Sequence, residues 1–338
     1  MKNKVVLGAV AIMLVIGLVV AGCAKPAPTP TPTPTPKVLK AITGLPADHP
    51  AMCKGVEWAN LVKEYSDGQL VVEVVGGTEA IPLMEQAEAL KAGMIDINIT
   101  MGGWIAGLMP LGDAMILCPR AVSVKRDTEL VAFYRKIMAE QLNAYYLGAN
   151  CAPQWQGFAG NVKVTDPRTG FQGLKVRAIS FTFPVWEALG ASPVGMPASD
   201  VYTALERGVV DCFSYGMSGW VKMGWPEVVK YLYPIRPLYG DNTGNLVNLD
   251  VWNSLSKEEQ NWLQQPVLDH EDEWAEFWEA TYVAEEAGCI DAGMEMLQWS
   301  DEDIKWFNEL GSEELWKAVL EKNPVYGPQF KEIVDKLS

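Results

Sequence analysis

The chain has 338 residues, of which 49% are hydrophobic and 20% are charged, so it is a globular protein of one large domain or two and not a disordered or fibrous one. Its 27 basic residues against 42 acidic ones give a net charge of −15, which excludes a nucleic-acid partner. The chain has only two histidines, which are too few for a His-rich zinc site and leave few choices for a histidine-based catalytic triad. Catalysis is therefore the less favoured function.

Residues 1–22 contain a long apolar run behind Lys2 and Lys4, with no acidic residue. This pattern is typical of a secretory signal peptide. A permanent membrane helix is the alternative, but the run ends in Val-Ala-Gly before Cys23, which resembles the lipobox of bacterial lipoproteins. Cleavage there would take the net charge to −17, and acylation of Cys23 would anchor the chain. We therefore expect an extracytoplasmic protein, periplasmic or at the cell surface, that is lipid-anchored to the membrane.

Residues 23–37 are predicted to be a linker, because proline and threonine alternate after the cysteine. Proline has no amide hydrogen and fixes φ at about −65°, which excludes helix and sheet. As a polyproline II segment at about 3.1 Å per residue, residues 24–36 of the linker would hold the folded body about 40 Å from the lipid.

Five cysteines follow the linker, and they are scattered through a long chain. An odd number at such spacings does not indicate a disulfide framework. Each of them is as consistent with a small buried apolar residue as with a bridge, and the pairing stays open.

The folded body begins with alternating strand and helix patterns, which are typical of an α/β protein. Strands are predicted at 38–43, 70–75 and 95–100, with helices at 50–65 and 82–92 between them. Such βαβ units form a parallel sheet whose ligands bind at the carboxyl ends of the strands. The loops at 44–50, 76–81 and 101–104 are therefore expected to face a ligand.

A long helix at 126–142 precedes a second α/β series. Strands are predicted at 173–179, 192–196 and 209–215, with helices at 181–189 and 199–208. Ser199 is the expected N-cap of the last of these helices, and Gly208 its expected end. This second series is expected to form its own sheet and its own domain.

The longest predicted helix covers 256–289 and opens with a capping-box pattern at Ser256 and Glu259. Pro266 lies inside it, so a kink or break is expected there. An aromatic stripe recurs on it at steps of four, formed by Trp274, Trp278 and Tyr282. The stripe is expected to pack into the core, with a dimer interface as the alternative.

One segment carries an ordered set of short motifs. In order, they are Lys175-Val176-Arg177 at a strand end, Leu189-Gly190-Ala191 at a helix end, Pro193-Val194-x-Met196-Pro197, Tyr202-Thr203-Ala204-Leu205, and Gly208-Val209-Val210-Asp211. This order is similar to the signature region of the solute receptors of tripartite ATP-independent periplasmic (TRAP) transporters, the DctP-like family. Further segments agree in order, and the resemblance covers about residues 38–330.

The resemblance implies an α/β, two-lobe, periplasmic-binding-protein-like fold, with two sheets, flanking helices, two hinge crossovers and a long bridging helix. Residues 38–157 with 242–282 would form lobe I, and 158–241 with 283–338 would form lobe II. The implied function is an extracytoplasmic receptor that binds a small organic acid in the interlobe cleft and delivers it to a TRAP membrane permease. The resemblance implies no catalytic residue and no cofactor.

In the family, the position of Arg177 holds the arginine that binds the ligand carboxylate. A guanidinium suits this role, because its paired donors match a carboxylate and it stays charged. The chain departs from its relatives at four positions: Tyr215 replaces an asparagine, Ser214 replaces a metal-binding glutamate of one subgroup, Ala159 stands where many relatives have a second arginine, and Ala198 replaces an aromatic residue. Without the second arginine, a second buried carboxylate would have no partner, so we expect a monocarboxylate ligand. Without the metal-binding glutamate, we expect no metal.

Several other side chains at predicted strand ends and crossovers are candidate ligand contacts, each with core packing as the alternative. The aromatic candidates are Trp104, Tyr215 and Tyr239 first, then Trp155, Phe181 and Trp220. Glu79 and Asn242 are weaker polar candidates. His49 either caps the following helix or contacts the ligand.

Two functions from other classes stay open: a secreted lipoprotein enzyme such as a hydrolase, and a structural surface lipoprotein. The sequence has no Gly-x-Ser-x-Gly, His-Glu-x-x-His or Gly-rich phosphate motif. Its 42 acidic residues nevertheless leave room for a catalytic carboxylate pair.

Overall fold

A computed structural model of the protein describes residues 35–118, 122–150, 154–235, 240–241 and 243–337. The predicted signal peptide, Cys23 and most of the predicted linker lie outside these residues. The strands are β1 (Lys37–Thr43), β2 (Leu70–Gly76), β3 (Ile97–Met101), β4 (Ala144–Ala149), β5 (Gln154–Gly160), β6 (Lys175–Arg177), β7 (Ser192–Val194), β8 (Cys212–Gly216), β9 (Tyr231–Leu232), β10 (Gly240–Asp241), β11 (Thr243–Asn248) and β12 (Glu295–Met296).

Helices flank the strands along the whole chain. The α-helices are α1 (Cys53–Tyr65), α2 (Gln86–Lys91), α3 (Thr128–Leu142), α4 (Phe183–Ala188), α5 (Ala198–Glu206), α6 (Leu249–Ser254), α7 (Lys257–Asp291), α8 (Asp301–Lys322) and α9 (Gly327–Asp335). Short 3-10 segments lie at Pro50–Met52, Leu83–Glu85, Gly102–Trp104, Pro110–Leu117, Ser180–Thr182 and Trp225–Glu227. Among the described helices, none is long and apolar enough to cross a membrane.

The first sheet has the strand order β2-β1-β3-β11-β4. Its first three strands are parallel, as the βαβ pattern predicts, and their bounds agree with the predicted ones to within about two residues. β11 comes from far along the chain and lies antiparallel between β3 and β4. The carboxyl ends of β1, β2 and β3 meet at one edge of this sheet.

The second sheet has the order β12-β9-β5-β8-β6-β7, with β10 paired to β5. β6 is parallel to both β7 and β8, whereas β5 is antiparallel to β8 and β9. The second α/β series therefore forms its own sheet, as predicted. Its parallel strands end at Arg177, Val194 and Gly216.

Each sheet is covered by its own apolar cluster. The first core includes Trp58, Ile99, Val247, Val267 and Trp274. The second core includes Phe213, Trp220, Trp225, Trp278 and Tyr282. A third cluster combines residues from both sheets and from their flanking helices. In this cluster, α8 packs against α4 and against the 3-10 segment Pro110–Leu117.

The predicted start of α5 is wrong. The helix begins at Ala198, and its N-cap is Pro197, which has an extended conformation and offers no side-chain acceptor. Ser199 lies inside the first turn, and its hydroxyl donates to the carboxylate of Asp200 instead. The predicted end is confirmed, because Gly208 adopts a left-handed φ of 66° just after the helix.

The sequence predicts a kink or a break at Pro266, and the break is wrong, because α7 runs unbroken through this residue. Pro266 and its neighbours Leu263 and Val267 are buried, and this packing offsets the loss of one backbone hydrogen bond. The capping box at Ser256 and Glu259 is confirmed. The aromatic stripe is buried within the chain, which confirms the core reading over the dimer interface.

Candidate functional site

The sequence motifs of the second sheet meet around Arg177, the last residue of β6. β6 lies between β7 and β8, and Arg177 is in register with Val194 on one side and with Phe213 on the other. Three separate motif segments therefore come together at the carboxyl end of β6. This is the edge of a parallel α/β sheet at which ligands bind.

The Arg177 side chain is held by backbone carbonyl groups. Its Nε and Nη2 both donate to the oxygen of Met196, at 3.2 and 2.9 Å, and its Nη1 donates to the oxygen of Ser214, at 2.6 Å. A guanidinium has five N–H groups, so Nη1 and Nη2 each keep one for a further acceptor. Two such donors on one planar group match the two oxygens of a carboxylate.

The charge of Arg177 is buried. The residue is only 4% exposed, and no described acidic residue forms an ion pair with it. Burial lowers the pKa of this guanidinium, and the neighbouring Tyr215 acts in the opposite direction. A buried cation of this kind favours the binding of an anion, because the anion would compensate the desolvated charge.

Tyr215 stacks beside this cation. The Arg177 guanidinium carbon lies 5.1 Å from the centre of its ring, within the range of a cation–π contact. The ring is held on another side by Trp225, at 5.1 Å and 83°. Tyr215 is in register with Gly157 of β5, where a Cβ atom would lie 2.5 Å from Met217 and 2.6 Å from Trp220. The strand pairing and the packing thus fix Tyr215 next to Arg177.

Arg135 provides a comparison within the same chain. It donates to the backbone oxygens of Tyr146 and Leu147 and to Gln264, and it lies 4.6 Å from the ring centre of Tyr145. Burial lowers its pKa as well. An arginine held by carbonyls beside a tyrosine is therefore not by itself a binding site. What distinguishes Arg177 is its near-complete burial and its place at the carboxyl end of a parallel strand.

Trp104 lies at the corresponding edge of the first sheet, in the 3-10 turn after β3. Its indole is half-buried against the first core and lies against Gly44, the residue after β1. A Cβ atom at Gly44 would be 2.1 Å from the ring, so only glycine allows this contact. The position keeps Trp104 a candidate for covering a ligand.

The polar candidates of the first sheet have local partners. The Glu79 carboxylate is exposed and accepts the backbone N–H of Gly77 at 2.7 Å. His49 caps the 3-10 turn Pro50–Met52, because its Nδ1 accepts the N–H of Ala51 at 3.1 Å. Burial lowers the pKa of His49, Lys222 adds to this effect, and Asp48 opposes it.

The remaining candidates divide into two groups. Tyr239 and Asn242 lie outside the described residues, and for Trp155 the structure describes the backbone, which pairs with Gly240 of β10. Phe181 and Trp220 are buried, and Trp220 also donates to the oxygen of Gly216 at 2.8 Å. Both side chains pack in the core, which is the alternative to ligand contact.

The sequence analysis missed the carbonyl groups that hold Arg177. Met196 lies in the Pro-Val-x-Met-Pro motif and Ser214 directly precedes Tyr215, but only the folded register shows that both backbone oxygens face the guanidinium. Within the described ranges, no group of three or more histidine, cysteine, aspartate or glutamate side chains is arranged to hold a metal.

Known proteins with similar sequences or structures bind organic acids. A segment of 212 residues is 26% identical to a monocarboxylate 2-oxoacid-binding periplasmic protein of Nostoc sp., and it covers 60% of this chain and 57% of that protein, little more than half its length. An extracytoplasmic solute receptor of Bordetella pertussis that binds pyroglutamic acid matches with a TM-score of 0.73 and 18% identity, over 89% of this chain and 100% of the other. A TRAP periplasmic solute-binding protein of Desulfovibrio salexigens with bound orotic acid matches with a TM-score of 0.70 and 20% identity, over 89% and 99%.

The structural matches confirm the predicted fold class, two sheets with flanking helices in the two-lobe fold of TRAP solute-binding proteins. Residues 43–323 match the family DctP. This range runs from the end of β1 into the residue after α8, and it includes Arg177 with all its partners. The chain therefore belongs to the DctP family of bacterial extracellular solute-binding proteins, family 7.

Proposed function

We propose that this chain is the receptor of a TRAP transporter that binds a small monocarboxylate at Arg177 and passes it to the membrane permease. The observation that carries the proposal is the buried, backbone-held guanidinium with one N–H left on each terminal nitrogen. The bound acid would fill these two donors, and Tyr215 would flank it. The role is that of a receptor and not of an enzyme.

The restriction to one carboxylate follows from β5. Ala159, at the position where many relatives carry a second arginine, is fully buried in the second core and pairs with Phe213. A second carboxylate on the ligand would meet no cation from this strand, and burying it unpaired costs free energy. The acids bound by the similar proteins fit this expectation, since pyroglutamic acid and orotic acid each carry one carboxyl group.

The proposed receptor binds its ligand by closure of two lobes. Residues 38–157 with 242–282 and residues 158–241 with 283–338 would act as two lobes that close on the acid. Contacts made only in the closed state would shift the population toward closure. We also propose that the chain is cut before Cys23 and anchored through acyl chains on this cysteine, with the Pro/Thr linker as a tether.

The binding site is tested by thermal unfolding of a non-acylated chain that lacks residues 1–22 and carries Cys23→Ser, with pyruvate, pyroglutamate and orotate, and with succinate as the dicarboxylate. At about a hundred times Kd, an acid stabilises the folded state by about 2.7 kcal/mol. For a folded body of about 300 residues this raises Tm by about 4 °C. We expect such a shift with at least one monocarboxylate, a smaller one with succinate, and none after Arg177→Ala.

Arg135→Ala is the matched control, because it removes an arginine with the same kind of backbone contacts away from the proposed site. This variant should unfold at a lower temperature but keep the shift. A shift that survives Arg177→Ala would contradict the carboxylate role of Arg177. Conversion of any of these acids by the pure protein would favour an enzyme instead.

The anchor is tested by mass spectrometry of the amino-terminal peptide of the protein isolated from membranes. We expect a peptide that begins at Cys23 and carries acyl chains. A peptide that still contains Lys2 and Lys4 would show that the apolar segment is retained.

A further inference from the structure

Three stretches of the chain join the two sheets, and described residues at or next to each of them lie together at one point. The first link leaves β4 at Asn150 and reaches the second sheet at β5. The second returns from β10, which pairs with β5, to β11, which pairs with β3 and β4. The third is α7, which passes from Trp274 in the first core to Trp278 in the second core within one turn. Any rotation of one sheet against the other must deform all three links.

Buried hydrogen bonds connect these three links to each other. Asn150 Nδ2 donates to Asn245 Oδ1 at 2.9 Å, which ties the first link to the strand that follows the second. Trp278 Nε1 donates to the backbone oxygen of Asn150 at 3.3 Å, which ties α7 to the same point. All three side chains are at most 2% exposed. Hydrogen bonds in such an environment are hard to replace by water.

The backbone around this cluster is shaped to bring the side chains together. The pairing of β4 with β11 shifts register beside Asn245, and Gly148 on β4 has a φ of 146°, so β4 bulges just before Asn150. α1 packs closely against this cluster at Gly55, where a Cβ atom would lie 3.0 Å from Asn150 Nδ2 and 2.4 Å from Ile99. The close approach leaves Asn150 little freedom to move away from Asn245.

One donor in this cluster is left without a partner. Asn245 Nδ2 is fully buried and has no acceptor among the described residues. An unsatisfied buried donor destabilises the conformation in which it occurs. A rotation between the sheets that brought an acceptor to this donor would remove that cost, so the energy of this cluster depends on the angle between the crossovers.

We propose that Asn150, Asn245 and Trp278 form the pivot of lobe closure and set the population of the closed, binding-competent state. The proposal rests on the proposed receptor function and names the positioning residues behind it. None of the three belongs to the Arg177 site. They act on affinity through the fraction of molecules able to close, since the apparent Kd rises as this fraction falls.

The test compares Asn245→Leu with Asn98→Leu in the non-acylated chain. Asn98 is the matched control, because it is also a fully buried asparagine of the first sheet, and it bonds to Gln86 and Ile42 away from the crossovers. The first measurement is the radius of gyration by small-angle X-ray scattering without ligand, about 19 Å for a compact body of this length. We expect Asn245→Leu to raise it by about 1 Å and Asn98→Leu to leave it unchanged.

The second measurement is the Kd for pyroglutamate by calorimetry. We expect Asn245→Leu to raise it about tenfold, through a loss of closed population, and Asn98→Leu to leave it within about twofold. Trp278→Phe, which keeps an aromatic ring but removes the Nε1 donor together with part of the indole, should change both quantities in the same direction and serves if Asn245→Leu does not fold. Equal radii of gyration for Asn245→Leu, Trp278→Phe and the unaltered chain would overturn the proposal.

The two measurements separate this proposal from the receptor function. The ligand-free radius of gyration needs no bound acid, so it decides the pivot even if pyroglutamate does not bind. Arg177→Ala should abolish binding without changing the radius of gyration, which is the opposite pattern to the pivot variants.

Discussion

At the scale of single residues, burial decides the chemistry of the cysteines. Cys212 is buried in the second sheet, where its sulfur lies 3.1 Å from the hydroxyl of Tyr233, and burial raises the pKa of its thiol to about 12. Burial likewise raises the pKa of Cys289 on α7 to about 12. Both residues are free thiols, but a thiol with such a pKa carries almost no thiolate near neutrality.

We therefore predict that iodoacetamide at about pH 8 leaves Cys212 and Cys289 unmodified in the folded protein. The half-buried Cys53 should react first of the three. Mass spectrometry of peptides from native and urea-unfolded samples checks this, and unfolding should expose all three. Modification of Cys212 in the native sample at the unfolded rate would contradict the buried position.

The candidate site could be predicted from single residues only in part. Arg177 and Tyr215 were found because a motif of the family places them at the ends of neighbouring strands, and the structure brings them to 5.1 Å. The oxygens of Met196 and Ser214 could not be found, because every residue has the same backbone carbonyl and only the register decides which one faces the guanidinium. The type of a side chain indicates its chemistry, but it does not indicate which way the backbone carbonyl of the residue points.

At the scale of elements, the amino-terminal cap of α7 stabilises the helix that joins both cores. Ser256 accepts the N–H of Glu259, and the Glu259 carboxylate accepts the N–H of Ser256 at 2.7 Å. We predict that Ser256→Ala lowers the free energy of unfolding by about 1 kcal/mol, because one helix donor loses its partner. Urea unfolding measures it, with Ser254→Ala, at the end of α6, as the neighbouring control. Equal midpoints for the two variants would show that the cap contributes nothing.

Local periodicity predicted the elements of the parallel half-sheets well, because a βαβ unit closes over short distances in the chain. It did not predict the insertion of β11 between β3 and β4, since that pairing joins residues about 100 to 150 positions apart. The continuity of α7 through Pro266 likewise depends on contacts between residues that are far apart in the chain. The packing of Leu263 and Val267 into the first core outweighs the local preference of proline, and no local pattern shows that packing.

At the scale of the whole molecule, the response to pH depends on His49. Its Nδ1 accepts the N–H of Ala51, which requires the unprotonated ring, and burial lowers its pKa in the folded state. The unfolded chain thus binds the proton first, so the contribution of His49 to stability is constant above about pH 7.5 and falls as the pH drops below about 6.5. Hydrogen bonds to the Ser256 backbone and to Arg126 lower the pKa values of Glu259 and Asp272, and their contributions are lost only below about pH 4.5.

The pH dependence is tested with His49→Asn, which keeps a capping acceptor but does not titrate. Urea midpoints between about pH 8 and pH 5 should decline for the unaltered chain and stay flat for the variant. Parallel slopes for the two proteins would exclude His49 as the titrating group.

The position of β1 has a mechanical consequence. The described fold begins at Lys37, the first residue of an interior strand with parallel neighbours on both sides, and the Lys37 ammonium pairs with Glu259 at 3.0 Å. A pull on the amino terminus therefore acts along β1, whose evenly spaced hydrogen bonds to β2 and β3 share the load instead of opening one after another. The same force reaches the start of α7 through Glu259. A body held in this way resists tension by shear, where an edge strand would peel.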